Sequence, residues 1–265
     1  MVTAKHFPSP LTTGMTFTRI ENGERQEVTG PVVREFPLTV RLDGKELLTT
    51  LCSPAGLDFL IAGLLFSEGF ITRKDDIESL RIDEQHNLAE VTTRNRIEPQ
   101  GRPLKPLIAS GGGKGASAFS LAASIAPAVS EVEITSAQVL NLIEAFLKSS
   151  GVYAVTHGTH AAALANPGGI EIFHEDIGRH NALDKVFGQA LIQDLPLHDA
   201  IIITSGRISS EMLLKVGKRS VPVLISKASP TDLGIQLARR LNMTLIRAAG
   251  GGINIYAGAE RVTAL

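Results

Sequence analysis

From residue 200 to residue 257 the chain repeats one pattern: a short apolar run, a polar turn, then a stretch of helical period. AIIIT reads as a short buried strand, and SGRISSEM turns into a helix that reaches Lys218. VPVLIS is a second strand, KASPTD leads into the helix LGIQLARRL, MTLIRA is a third strand, and AGGG precedes a last one, INIYA. Strands that alternate with helices predict parallel pairing with right-handed crossovers, and so an α/β fold. In such sheets ligands bind beyond the carboxyl ends of the strands. The turns at Ser205-Gly206-Arg207, at Lys227-Ala228-Ser229 and from Ala249 through Gly250 and Gly251 to Gly252 therefore fall on one rim. Two of them open onto a helix, whose first amides and partial positive charge suit phosphate. Arg207 and Lys227 add formal charge, and an arginine can grip a phosphate with two parallel bonds. The competing reading is that these glycines only make tight turns.

Just before this repeat lies HEDIGRHNALDKVFG, residues 174–188, dense in acids, bases and amides around a few apolar anchors. Ile177, Leu183, Val186 and Phe187 recur at near-helical spacing, which predicts an amphipathic helix from about Gly178. Asp176 is expected to cap it, its carboxylate accepting from the free amides of the first turn. His180 and Asp184 then share a face, as do Asn181 and Lys185. A solvated helix with ordinary salt bridges is the alternative. Upstream, AVTHGTHAAALANPGGIEIF holds two strands, residues 161–165 and 170–173, joined by the Pro167-Gly168 turn. His157 and His160 lie close to that pair.

Composition narrows the possibilities. At 265 residues the chain can bury a sizeable core, as one large domain or two modest ones. Lys plus Arg (26) nearly balance Asp plus Glu (27), so no broad basic field for nucleic acid exists. The single cysteine, Cys52, excludes an intrachain disulfide and a cysteine-based zinc site, in keeping with a reducing, cytoplasmic setting. The segment MVTAKHFPSP lacks the apolar stretch of a secretory signal. The longest apolar patch, residues 59–66, falls short of the roughly 20 residues that span a membrane.

The first 30 residues read as a polar, irregular and flexible segment. From Pro31, VVREFPLTVRLDGKELLTTLCS predicts two strands around the Asp43-Gly44 turn. AGLDFLIAGLLFSEGF, after Pro54, is apolar enough for a buried helix closed by Gly69. Residues 80–82 and 88–92 suggest another short hairpin, and residues 95–106, with two prolines, a linker or long crossing loop. These boundaries give a β-rich N-terminal region, residues 31–106, and an α/β domain, residues 107–265. In IASGGGKGASAFS, a glycine run with Lys114 either cradles an anion with backbone amides or is a plain flexible loop. Its spacing is not that of a P-loop. Ser136 is expected to cap the helix AQVLNLIEAFLKSS, which Gly151 ends.

Taken together, HEDIGRHNALDKVFG, TSGRISSEMLLK and SKASPTDLGIQLA resemble the FdhD family of formate dehydrogenase accessory sulfurtransferases. REFPLTVRLDGKEL, SPAGLDFLIAGLLFSEGFI and THGTHAAAL extend the resemblance over residues 33–256. It implies a three-layer α/β/α cytidine-deaminase-like domain with a smaller N-terminal β-rich α+β region, commonly in a homodimer. It also implies binding of the molybdenum bis(molybdopterin guanine dinucleotide) cofactor, for which a guanine nucleotide is an analogue. Sulfur would come from a cysteine desulfurase and pass to the metal before the cofactor enters formate dehydrogenase. The residues expected to bind it are Arg247, Ala248, Ala249 and Gly250, Gly251, Gly252, with Ser205, Gly206, Arg207 and Lys227. The amides of the Ser205-Gly206 and Gly250–Gly252 turns would take phosphates, and His180, Asp176 and Arg179 would shape the adjoining pocket.

Two departures stand out. Many relatives carry a reactive cysteine in a flexible loop, whereas the matching loop here is SGGGKG, with Gly111, Gly112 or Lys114 where the nucleophile would stand. Neither glycine nor lysine can hold a persulfide. Where relatives have an aromatic residue and an arginine before the last strand, this chain has RAAGGG. A protein that binds or delivers the cofactor without carrying sulfur is therefore the alternative to a sulfurtransferase. A zinc deaminase needs a pair of cysteines that one cysteine cannot supply. His174-Glu175 does not start a metalloprotease motif either, because Gly178 takes the second histidine's place.

Overall fold

The computed structural model describes residues 9–97 and 122–264. The expected nucleophile positions Gly111, Gly112 and Lys114, and most of the 95–106 linker, lie outside the described residues.

The repeat that dominates the sequence forms a six-stranded sheet. Its strands are β8 (His160–Asn166), β9 (Gly169–Asp176), β10 (Ile201–Thr204), β11 (Val223–Ser226), β12 (Thr244–Ala249) and β13 (Gly252–Ala257), in the order β13-β12-β11-β10-β8-β9. Only β10, β11 and β12 pair in parallel; β8 against β10, β8 against β9 and β12 against β13 are antiparallel. The parallel pairing expected from residue 200 onward holds for β10, β11 and β12 and is corrected for the last strand, β13, which runs antiparallel to β12. Pro167-Gly168 and Gly250-Gly251 join neighbours by hairpins, which force antiparallel pairing.

Side chains alternate across this sheet and build two cores. Ala161, Ala163, Ile201, Ile203, Val223, Ile225 and Ile246 meet one face of helix α2 (Ser136–Ser149). Ala162, Leu164, Ile202, Leu224 and Leu245 meet helices α4 (Arg179–Ile192), α5 (Ser210–Gly217) and α6 (Asp232–Arg240). Helix on sheet on helix is the three-layer α/β/α arrangement, because a sheet that is apolar on both faces must be covered on both. The short helix α3 (Gly151–Thr156) follows α2 directly: Ser150, not Gly151, closes α2, and Gly151 opens α3. Thr135, not Ser136, caps α2: its hydroxyl accepts from the amide of Gln138, whose side chain answers the Thr135 amide.

The N-terminal region contributes a four-stranded sheet in the order β4-β3-β6-β5. It comprises β3 (Phe36–Leu42), β4 (Lys45–Cys52), β5 (Ile77–Asp83) and β6 (Leu88–Thr93), with Asp43 and Gly44 both at positive φ in the turn. The helix α1 (Leu57–Glu68) ends at Gly69 in the left-handed conformation, as expected. It joins the small sheet to the large one by packing on α4 at unusually short range. A Cβ on Gly63 would stand 1.8 Å from the carbonyl oxygen of Asp184, and one on Gly188 would stand 1.8 Å from that of Phe59.

Residues 12–33 are not irregular. They form a ten-residue-per-strand hairpin, β1 (Thr12–Glu21) with β2 (Glu24–Val33), turning at Asn22 and Gly23, both with positive φ. Its strands are almost wholly exposed, and the alternation of Met15 and Phe17 with threonines is short; the Asn-Gly dipeptide is the clearest turn signal. No helix of the described residues is long and apolar enough to cross a membrane.

Candidate functional site

The topology brings one end of every strand in the large sheet to a common rim. The carboxyl ends of β9, β10, β11 and β12 meet the amino ends of β8 and β13 there. His160, Asp176, Ser205, Lys227 and the turn from Ala249 to Gly252 therefore share this edge. Side chains then divide between the two faces. Ser205 and Lys227 line a cavity of about 520 Å³ on the α2–α3 side, within the range of small-molecule sites. Arg179, His180 and Asp176 belong to the α4–α5 side. Arg247 follows the alternation of β12 to that same side, whereas Ala248 is buried in the core under α2.

The cavity has one apolar, aromatic end and one polar end. Phe146 and Tyr153 form the first, and His157 stands edge-on to Tyr153 with ring centroids 5.2 Å apart. Thr159, Ser205 and Lys227 supply the second. Glu175 holds this wall in place: its carboxylate accepts from the amides of Val152 and Tyr153 and from the Thr159 hydroxyl. Glu175 thus stabilises the first turn of α3, as an acid at a helix amino end does. His174 donates to or accepts from Gln189 at 2.7 Å and packs on Phe59, away from the cavity. Of the histidines singled out in sequence, only His157, His160 and His180 approach the rim.

At two of the three turns the backbone amides are already engaged. The Ser205 amide donates to the carbonyl of Ala161, and the Gly206 amide donates to the Thr204 hydroxyl. The Lys227 and Ala228 amides donate to Thr204 and Ser226. An amide satisfied within the fold has no bond left for a ligand, so an anion at these two turns must be held by side chains. The glycines are likewise explained locally. Gly250 and Gly251 both take positive φ in the two-residue turn between β12 and β13, where a side chain would be strained. Gly206 lets the Arg179 side chain lie across the turn, since a Cβ there would stand 3.0 Å from that of Arg179.

Asp176 does not cap α4 in the expected way. Gly178 is the capping residue and offers no side chain. Instead Asp176 is fully buried at the end of β9, where one carboxylate oxygen meets Lys185 Nζ at 2.6 Å and accepts from the Ser53 amide. The other oxygen accepts from the Gly178 amide and from Asn181. Lys185, equally buried, also donates to the Ser53 carbonyl, while the Ser53 hydroxyl accepts from the Ile177 amide. A second buried pair, Lys215 with Asp184 at 2.6 Å, is completed by the Ser67 hydroxyl. Sequence spacing placed Lys185 and Asp184 on α4 but gave no sign of Ser53, Ser67 or Lys215, which are distant in the chain.

Cations at the rim are left over. Among the described residues no carboxylate lies within 4.0 Å of Arg179, Arg207, Lys227 or Arg247, and none of these side chains donates a hydrogen bond. The Nε atoms of Arg179 and Arg247 are buried without a partner among the described residues. Burial, then the positive charge of Arg179, pushes His160 below its ordinary value. Burial, with Lys215, Arg179 and His160 adding repulsion, pushes His180 down to about 3. The 3.6 Å contact between His180 and Glu211 therefore joins a neutral imidazole to an acid and is not an ion pair at neutral pH. Burial raises Glu211, against the pull of Arg179 and Lys215. Cys52 is fully buried, its thiol 3.5 Å from the Phe36 carbonyl. Burial and the Asp176 carboxylate push it up to about 12.

Comparisons with known proteins agree on one family. A family model described as FdhD/NarQ matches residues 33–263. The chain is 40% identical over 257 residues to "Sulfur carrier protein FdhD" of Staphylococcus haemolyticus (strain JCSC1435), covering 95% of this chain and 97% of that one. It is 37% identical over 253 residues to the protein of the same name from Staphylococcus aureus (strain MRSA252), covering 94% and 96%. The crystal structure of a candidate formate dehydrogenase accessory protein from Desulfotalea psychrophila superposes with a TM-score of 0.80 at 27% identity, over 96% of this chain and 100% of that one.

Proposed function

The chain belongs to the FdhD/NarQ family, and from that premise we propose that it holds the molybdenum bis(molybdopterin guanine dinucleotide) cofactor, as cargo, at the strand-end rim for formate dehydrogenase. One observation carries the reading: Lys227 lines the cavity, Arg207 follows β10 at the same rim, and Arg179 and Arg247 lie on the other face of that rim, with no carboxylate within 4.0 Å of any of the four among the described residues. Unpaired, partly desolvated guanidinium groups cost free energy unless an anion completes them. A diphosphate supplies that charge, and arginine matches its oxygens with parallel donors. Since the amides of Ser205 and Gly206 are occupied, Arg207 and Lys227 carry the phosphate contacts themselves. The molybdenum is where delivered sulfur would finally reside; this chain's residues bind and orient the organic part.

Sulfur carriage through this chain's own thiol is not part of the proposal. Persulfide formation needs a thiolate that can reach the surface. Cys52, the only cysteine, is fully buried and its thiol is pushed up to about 12, so at neutral pH the nucleophile is missing. Any sulfur that a cysteine desulfurase supplied to the held cofactor would reach it without a stop on Cys52. Incubation with a cysteine desulfurase and cysteine, followed by persulfide labelling, is expected to leave Cys52 unmodified; a label there would restore the carrier role. For the rim, calorimetry with GDP should show binding that Arg207→Ala weakens by about 10-fold, the scale of one charge-assisted contact. Equal affinities for parent and variant would remove the rim from the reading.

A further inference from the structure

Beside the turn at Gly206 the amino ends of α4 and α5 bring Arg179, His180 and Glu211 together. Glu211 is the second residue of α5, and no N–H or O–H among the described residues donates to it; its Oε1 is buried and unpartnered. Its other oxygen comes no closer than 3.6 Å to His180 Nε2. Arg179 is the first residue of α4, at the positive end of that helix, where a cation is disfavoured. Its Nε is also buried without a partner. A direct Arg179–Glu211 ion pair would satisfy both groups, yet the two stay more than 4.0 Å apart. An acceptor and a donor thus stand side by side, each unsatisfied, and buried groups of that kind call for a partner from outside the fold. The Glu211 side chain keeps 14% of its exposure and His180 34%, so solvent reaches the cluster.

The group that completes such a pair must donate to a carboxylate and accept from a guanidinium along one edge. A 2-amino-4-oxo pyrimidine edge does so: a ring N–H and an exocyclic amine point one way, with a carbonyl oxygen beside them. Guanine and pterin share this edge. Adenine reverses it, presenting an amine where the carbonyl would be and a ring acceptor where the N–H would be. We propose that Glu211 is the residue that selects this edge, its carboxylate accepting the ring N–H and the exocyclic amine while Arg179 donates to the carbonyl oxygen. This rests on the reading that the rim holds a guanine- and pterin-bearing cargo, and adds which side chains recognise the ring.

The test compares the affinities of GDP, IDP and ADP for the full chain and for Glu211→Gln by calorimetry. A second arm compares 6-carboxypterin with 6-carboxylumazine, which lacks the amine. The parent should prefer GDP over IDP, and pterin over lumazine, by about 10- to 100-fold, the range for a hydrogen bond to a charged acceptor. Glu211→Gln should bring each ratio within about 2-fold while leaving ADP binding unchanged, since the amide cannot accept both donors. Arg179→Met should weaken GDP while sparing that ratio. Loss of selectivity in only one arm supports the inference and says whether guanine or pterin occupies the site. GDP and pterin binding with ratios that Glu211→Gln does not alter would overturn this inference and leave the proposed function standing. Absence of any binding by either ligand to the parent would overturn both.

Discussion

The seam between α1 and α4 and the rim above it are built from similar residues and behave in opposite ways. At the seam Lys185, Asp176, Ser53 and Asn181 satisfy one another completely, and Lys215, Asp184 and Ser67 do the same. At the rim Arg179, Arg247 and Glu211 keep buried atoms with no partner among the described residues. Both regions hold charge in low dielectric, and only one has the means to neutralise it. Buried charge that is fully paired holds a fold in register, whereas charge left over at a sheet edge marks where something else must bind.

The seam should therefore fail under substitutions that the rim tolerates. Gly188→Ala drives a methyl group to 1.8 Å from the Phe59 carbonyl oxygen, a backbone atom that cannot yield without separating α1 from α4. The expected loss is about 4 kcal/mol or more, read from urea unfolding. Gly252→Ala at the rim meets nothing within 4 Å and should stay within about 0.5 kcal/mol of the parent. Similar costs at both glycines would erase the contrast.

Next in size is Lys185→Met, which leaves Asp176 buried and charged without its counter-ion. A loss of about 3–5 kcal/mol is expected, largely recovered in the double variant with Asp176→Asn, because removing both charges removes the unpaired one. A double variant no more stable than the single would show that Lys185 acts through packing instead of charge.

The smallest effect is a pH dependence that belongs to the rim. His180, at about 3 when folded, is neutral where the unfolded histidine, at 6.5, takes up a proton. Between those values the unfolded chain binds more protons, so stability falls as pH drops below 6.5. His160, also lowered, acts in the same direction. Glu211 acts the other way, since a raised acid adds stability below 4.5 that is lost as pH rises through its folded value. His180→Asn should flatten the stability profile between about pH 4.5 and 6.5 and leave it unchanged at pH 7.5. An unaltered slope would mean that the imidazole is not held neutral.

Much of the architecture could be read before any coordinates. Strand and helix order from residue 200 onward, the Asp43-Gly44 hairpin and the closure of α1 at Gly69 all follow from patterns spanning a few residues. The hairpin at residues 12–33 escaped because its strands bury almost nothing and their apolar alternation, Met15 and Phe17 among threonines, covers only a few residues. At the site, the shared rim was legible from the order of elements. The division of Ser205 and Lys227 from Arg179 and Arg247 across the sheet was not, and nor was the engagement of the Ser205 and Gly206 amides. Glu211 carries no signal in the sequence, because an acid in the first turn of a helix is ordinary.

By itself the sequence determined most of the strands and helices from residue 31 onward, that strand ends would converge, and that a single cysteine is available. Periodicity and turn chemistry are local, and local information survives in a string of letters. Only tertiary structure decided that Cys52 is sealed, that Lys185 is paired with Asp176, and that Arg179 and Glu211 stand unpartnered. Pairing and burial depend on which distant residues arrive within a few ångströms, and the chain sets that distance only by folding.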